Sequence, residues 1–203
     1  YVADDIASLT TDMDSEVAAL LAEIDELKTR LEAVEDDDGS SETVMYGNYS
    51  ISNSVDMAAL EGYSEVTGNV TISAGDVPDM SPLASLTRIG GSLLIENNDS
   101  FVNLSGLENL EYIGDELRIK HNAALESLEG LSSLATLDNL LFVQSNSALR
   151  SLNGLDSLST IPYIQITSND ALTSIGLSAL ESTHYFTIQS NNSLVNLGGL
   201  DSI

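Results

Sequence analysis

The sequence predicts a mainly β protein: a right-handed, β-helix-like solenoid of short parallel strands in coils of 22–24 residues, preceded by a long N-terminal α-helix. Three observations carry this reading. The stretch "IENNDSFVNLSGLENL" (95–110) returns 24 residues later as "IKHNAALESLEGLSSL", and after another 24 as "VQSNSALRSLNGLDSL". A fixed period in the twenties marks an array of stacked supersecondary units. Within each unit an apolar-x-apolar-x-x-Asn segment precedes apolar residues at every third position. Ahead of the array, the apolar residues instead step by three and four.

That first pattern runs from Ala3 to Val34. Val17, Ile24 and Leu31 fall at heptad position a, while Leu20, Leu27 and Val34 fall at d, after Ile6 and Met13. A 3.5-residue repeat keeps one stripe facing a partner helix, so residues 1–38 read as a coiled-coil helix. In a parallel pair, Glu23 would meet Lys28 of the neighbouring chain and Arg30 would meet Glu35. β-branched residues at a favour two strands, but Leu31 at a and Val34 at d leave dimer and trimer both open. The alternatives are an amphipathic helix lying on its own domain, or one packing against another helical or filament protein.

Residues 39–46 read as an acidic, Gly/Ser linker after "EDDDGSSE" (35–42). Gly39 offers a left-handed helix stop. An EF-hand register with Gly39 at loop position 6 places Asp36 and Asp38 correctly, yet puts Val34 at position 1 and Met45 at position 12. The match fails at both ends.

Residues 47–203 read as the solenoid, with an N-terminal cap at 47–68. The strand units are Leu93/Ile95/Asn98, Leu117/Ile119/Asn122, Leu141/Val143/Asn146, Ile164/Ile166/Asn169 and Phe186/Ile188/Asn191. Alternation makes each a strand with one face inward, and the three-residue steps form the return side of each coil. Parallel crossovers are almost always right-handed. Where the chain leaves each strand, backbone N–H and C=O groups face inward without a strand partner. An Asn amide supplies two donors and an acceptor for them, so Asn98, Asn122, Asn146, Asn169 and Asn191 read as a structural ladder. The glycines before Leu (Gly106, Gly130, Gly154, Gly176, Gly199) allow a tight turn or a close approach between coils. Spacing shortens to 23 and then 22 where Tyr163 and Gly176 sit, read as single deletions in loops. The array breaks off at Ile203 in mid-pattern, which predicts a continuation.

These residues resemble the leucine-rich-repeat superfamily, in particular the receptor L-domain type of bacterial surface proteins and growth-factor-receptor ectodomains. The segment "YSISNSVDMAALEGYSEVTGNVTIS" (49–73) is similar to that family's cap: a strand, a short helix near Val55–Leu60, then the "TGNVTI" strand. The resemblance covers about 155 residues. The chain lacks every cap cysteine of the receptor ectodomains, which points to the bacterial surface branch. It implies extracellular binding or scaffolding, and it transfers no catalytic residue and no partner.

Composition narrows the function classes. The 203 residues carry 32 acidic against 6 basic side chains, a formal charge of −26. Such a field repels nucleic acid and anionic lipid and is tolerated best in a saline medium such as sea water. Absent cysteine removes disulfides and thiol chemistry. No apolar run approaches membrane-spanning length, so no direct membrane insertion is expected. No cofactor is expected either, calcium on the acidic surface being the weak exception. Catalysis finds no support: His121 and His184 stand alone, and no nucleophile-elbow motif surrounds any serine. The carboxylates Glu108, Glu111, Asp115 and Glu116 cluster as chance would have them in so acidic a chain.

An ice-binding array fails as well, because the outward column Thr71, Leu94, Arg118, Phe142, Gln165, Thr187 is too uneven. The same column, with Tyr163 and Tyr185 just before their strands, is the candidate partner-binding face for a protein or glycan. Arg118 and Lys120 together predict a local positive spot, unless they merely offset Glu96 and Glu116. Of five N-x-[ST] sequons, those at Asn98 and Asn191 fall on the ladder, leaving Asn48, Asn69 and Asn103 usable. The sequence thus predicts a non-catalytic, bacterial or archaeal, extracellular or cell-surface protein. Its function is adhesion through the sheet face, or the structural one of a filament or coat subunit.

Overall fold

Each repeat places two aliphatic side chains inward per strand and keeps the residue between them outward, and a stack of such strands follows directly. The computed structural model describes Val17 and residues 43–75, 77 and 79–200. The chain divides into two compact units, Tyr1–Glu42 and Thr43–Ile203. In the first, Val17 is helical and exposed. The other seam positions, Leu20, Ile24, Leu27, Leu31 and Val34, and the acidic run after them lie outside the described residues.

The second unit is a parallel-strand solenoid of about six turns. Its main sheet has seven strands: β2 (Tyr49–Ile51), β4 (Val70–Ile72), β6 (Leu93–Glu96), β8 (Leu117–Lys120), β10 (Leu140–Gln144), β11 (Tyr163–Thr167) and β12 (Tyr185–Gln189), side by side in that order. A second parallel sheet, which the repeat pattern did not reveal, occupies part of the return side. It consists of β1 (Val44–Met45), β3 (Glu65–Val66), β5 (Arg88–Ile89), β7 (Tyr112–Ile113) and β9 (Thr136–Leu137). Beyond β9 it thins to a single bridge between Thr160 and Ser182. The solenoid therefore starts earlier than the sequence reading placed it: Val44–Met45, inside the stretch read as linker, already pair with β3. The cap helix α1 (Ser54–Ala58) is capped by Asn53, whose side-chain oxygen accepts from the N–H groups of Val55 and Asp56.

One continuous core lies between the two sheets. Its inward strand residues, among them Ile95, Ile119, Val143 and Ile166, are fully buried, as are return-side leucines such as Leu128 and Leu152. The last coil is less covered, with Phe186, Ile188, Leu194 and Leu200 only partly buried.

The asparagines stand in file along one corner. Asn146 Oδ1 accepts from the backbone N–H and the Nδ2 of Asn122, both at 3.1 Å. Its own Nδ2 donates to the Ile119 carbonyl at 3.0 Å and to Asn169 Oδ1 at 3.2 Å. Asn122 repeats the arrangement with Asn98, Ile95 and Asn146. At the far end, Asn191 donates to the Ile166 and Gln189 carbonyls. The residue before each ladder Asn is left-handed without being glycine: Asn97, His121, Ser145, Ser168 and Ser190 have φ between 54° and 59°. That turn swings the following side chain into the core, and short polar residues tolerate it best.

Glycine is required one turn further on. Gly130 has φ 110°, and a Cβ there would overlap the Leu104 carbonyl of the preceding coil. Gly106 and Gly154 meet Met80 and Leu128 in the same way.

Candidate functional site

Parallel pairing in register turns the outward residues of the main sheet into columns running along the stack. One column reads Thr71, Leu94, Arg118, Phe142, Gln165, Thr187. Beside it run Leu140, Tyr163 and Tyr185 on one side. On the other run Glu96, Lys120, Gln144, Thr167 and Gln189. The six residues of the predicted face, Leu94, Arg118, Phe142, Tyr163, Gln165 and Tyr185, therefore share one surface in two adjacent columns. Tyr163 and Tyr185 are not loop residues; each opens its strand, opposite the other. The missing residue of that coil falls at the corner around Pro162 instead, since Tyr163 pairs with Leu140.

Exposure divides the face. The tyrosines are open to solvent, Tyr163 at 46% and Tyr185 at 56%, while Leu94, Arg118, Phe142 and Gln165 are half-buried between neighbouring strands. The Tyr163 ring lies 6.3 Å from the His184 ring, tilted by 59°.

Charge divides it as well. Arg118 is paired with Glu116, and its guanidinium also sits 5.3 Å from the centre of the Phe142 ring. The hydrogen bond that Arg118 donates to the Glu116 carboxylate raises its pKa above the ordinary value. Lys120 is paired with Glu96 at 2.6 Å. The positive spot expected from these two cations is thus neutralised by two carboxylates, one just before their own strand and one on the adjoining strand. Arg88 and Arg150 are paired too, with Glu65 and Glu126 of the preceding coil. Toward β10, β11 and β12 the face carries aromatic, amide and hydroxyl groups and no ion pair.

Two polar networks escaped sequence reasoning. At the corner leading into the main sheet, Asn48 accepts from the Asn69 N–H, and Asn69 from the Ser92 N–H, both at 2.8 Å. Ser92 Oγ then donates to Asp115, which also accepts from Asn139. On the outer side of the short sheet, the Arg88 guanidinium lies 3.7 Å over the Tyr112 ring, whose hydroxyl donates to Asp138 at 2.5 Å. That bond raises the Tyr112 pKa. Both networks link successive coils. Of the sequon residues, Asn98 is buried, whereas Asn48 and Asn69 are exposed.

His121 is an exposed turn residue with φ 56°. Glu108, from the predicted carboxylate cluster, accepts from the Gly106 N–H at 2.8 Å. Among the described residues no group of three or more His, Asp or Glu could hold a metal ion. Among them, too, no helix is long and apolar enough to cross a membrane.

A two-sheet parallel solenoid with an asparagine corner ladder and a helical cap is an L-domain-like, leucine-rich-repeat-like solenoid. Residues 64–125 match the family model described as Receptor L domain. The L domain is a non-enzymatic, typically extracellular family with a ligand-binding, receptor-like fold. No curated protein and no solved structure matches the chain. The matched span runs from just before β3 to the loop after β8, so the tyrosine-bearing strands β11 and β12 lie outside it. Their contribution rests on this chain's own residues.

Proposed function

We propose that this chain is a non-catalytic cell-surface or extracellular binding protein that contacts a protein or glycan through the outward face of its main sheet. In this reading residues 1–38 form a coiled-coil stalk that joins two or three copies and presents their solenoids together. The observation that carries the proposal is the tyrosine pair. Tyr163 and Tyr185 stand exposed side by side on a regular sheet, with Phe142 on the strand adjoining that of Tyr163, where a monomeric surface protein ordinarily places polar residues. Large amphipathic rings held by a rigid backbone lose little freedom on contact, which is why aromatic residues dominate binding hot spots.

The test is attachment of the labelled whole chain to intact cells and extracellular matrix of the source organism. The parent should bind. Phe142→Ser combined with Tyr163→Ser should remain folded, because both side chains face outward, and should bind at least about ten-fold more weakly. Equal attachment by both proteins would sink the proposal. For the stalk, light scattering should give two or three copies of the whole chain and one copy of a fragment beginning at Thr43. A monomeric whole chain at tens of micromolar would instead indicate that the helix packs on another protein.

The alternative reading is a structural subunit of a filament or surface coat. A subunit of that kind polymerises as its concentration rises, which the same light-scattering series would register.

A further inference from the structure

The uncharged stretch of the main sheet narrows the class of partner, given that this sheet is the contact face. Strands β10, β11 and β12 each present three outward residues, and none of these is Asp, Glu, Lys or Arg. This stretch belongs to a chain of net charge −26. All four basic side chains among the described residues are paired with carboxylates, so the charge left over on the described surface is anionic. An anionic partner is repelled by that field. A cationic partner is drawn to the carboxylates spread over the other surfaces and gains nothing from the one stretch that lacks them. The partner favoured here is electrically neutral.

Its other properties follow from the side chains. Gln165 and Gln189 offer amide donors and acceptors, Thr187 a hydroxyl, and Tyr163 and Tyr185 two ring faces with phenolic oxygens at their tips. Neutral hydrogen-bonding groups beside exposed rings match a molecule that alternates hydroxyls with C–H faces. The surface is an open sheet, and its columns continue from strand to strand, which fits an extended chain laid across β10–β12. An apolar peptide would leave the glutamine amides unpaired on contact.

We propose that the β10–β12 face binds a neutral polysaccharide, with Tyr163 and Tyr185 stacking on the sugar rings and Gln165, Thr187 and Gln189 bonding to their hydroxyls.

Native affinity electrophoresis tests this with the whole chain, whose charge carries it rapidly through the gel. The probes are neutral dextran, laminarin and galactomannan, with anionic alginate as the contrast. At least one neutral polymer should retard the parent and alginate should not, and the retardation should persist at high salt. Tyr163→Ala combined with Tyr185→Ala should weaken it by about ten-fold or more, with the circular dichroism spectrum unchanged. No retardation by any neutral polymer overturns the proposal, as does retardation that the tyrosine variant leaves intact. If neutral polymers fail while cell attachment still depends on Phe142 and Tyr163, the contact face stands and the partner is a protein.

Discussion

Asn146 has both amide protons donated and its oxygen accepting twice, in a fully buried corner. Truncation would strand the Ile119 carbonyl and the Asn122 N–H as well as break the file. Asn146→Ala should therefore cost roughly 1–3 kcal/mol in urea unfolding. Ser147→Ala next to it, on the surface, should stay within about 0.5 kcal/mol. Equal small effects would contradict the ladder. Thr167 gives the opposite case. Its Oγ1 is buried and has no hydrogen-bond partner, on a strand where a β-branched side chain fits the pleat. Thr167→Val keeps the shape and removes the unpaired hydroxyl, so stability should hold or rise by up to about 1 kcal/mol; a clear loss would mean that the hydroxyl is bonded. The two residues also differ in legibility. Asn146 was readable because its role recurs in every coil with the same residue type. The corner of Asn48, Asn69, Ser92, Asp115 and Asn139 serves a comparable purpose with three residue types, so no repetition announces it.

Among the elements, the main sheet was legible and the short sheet was not, for a physical reason. Strands β6, β8, β10, β11 and β12 run four or five residues, long enough for two inward aliphatics to declare a period of two. Those of the short sheet hold two residues, of which only one faces inward, as with Ile89 and Ile113. A single inward residue carries no period, and these merged with the leucines spaced three apart. The cap helix, expected near Val55–Leu60 from the family resemblance, runs over Ser54–Ala58, and its cap explains where it starts. Asn53 bonds the N–H groups of Val55 and Asp56, and Asp56 in turn accepts from the backbone and hydroxyl of Ser52. Asn53→Ala should cost about 0.5–2 kcal/mol in the same unfolding assay. The bonds from Ser52 hold the Asp56 carboxyl below the ordinary aspartate pKa. A depressed folded pKa means that the contribution is present above the unfolded value and lost as pH falls through the folded one. An NMR titration of the Asp56 carboxyl carbon should accordingly show a midpoint below that of an unstructured aspartate. A midpoint at or above it would contradict the capping geometry.

At the scale of the whole molecule, the stacking of near-identical coils converts sequence variation at outward positions into surface chemistry. The core repeats because every coil must fill the same space, while the outward columns are free to differ. They run from paired charges at Glu96, Arg118 and Lys120 to rings, amides and hydroxyls at β10–β12. The gathering of Tyr163, Tyr185 and Phe142 on one face was legible from the period alone; the neutralising of Arg118 by Glu116 was one of two readings the sequence left open, because sequence adjacency does not fix where a long side chain turns. The claim that this face makes the contact is tested most directly by hydroxyl-radical footprinting of the whole chain, free and attached to source cells. The account predicts that Tyr163, Tyr185 and Phe142 lose reactivity on attachment while Tyr46 and Val102, both exposed on the free chain, keep theirs. Protection confined to Val102 and the loops after the ladder asparagines, with the tyrosines still reactive, would contradict it.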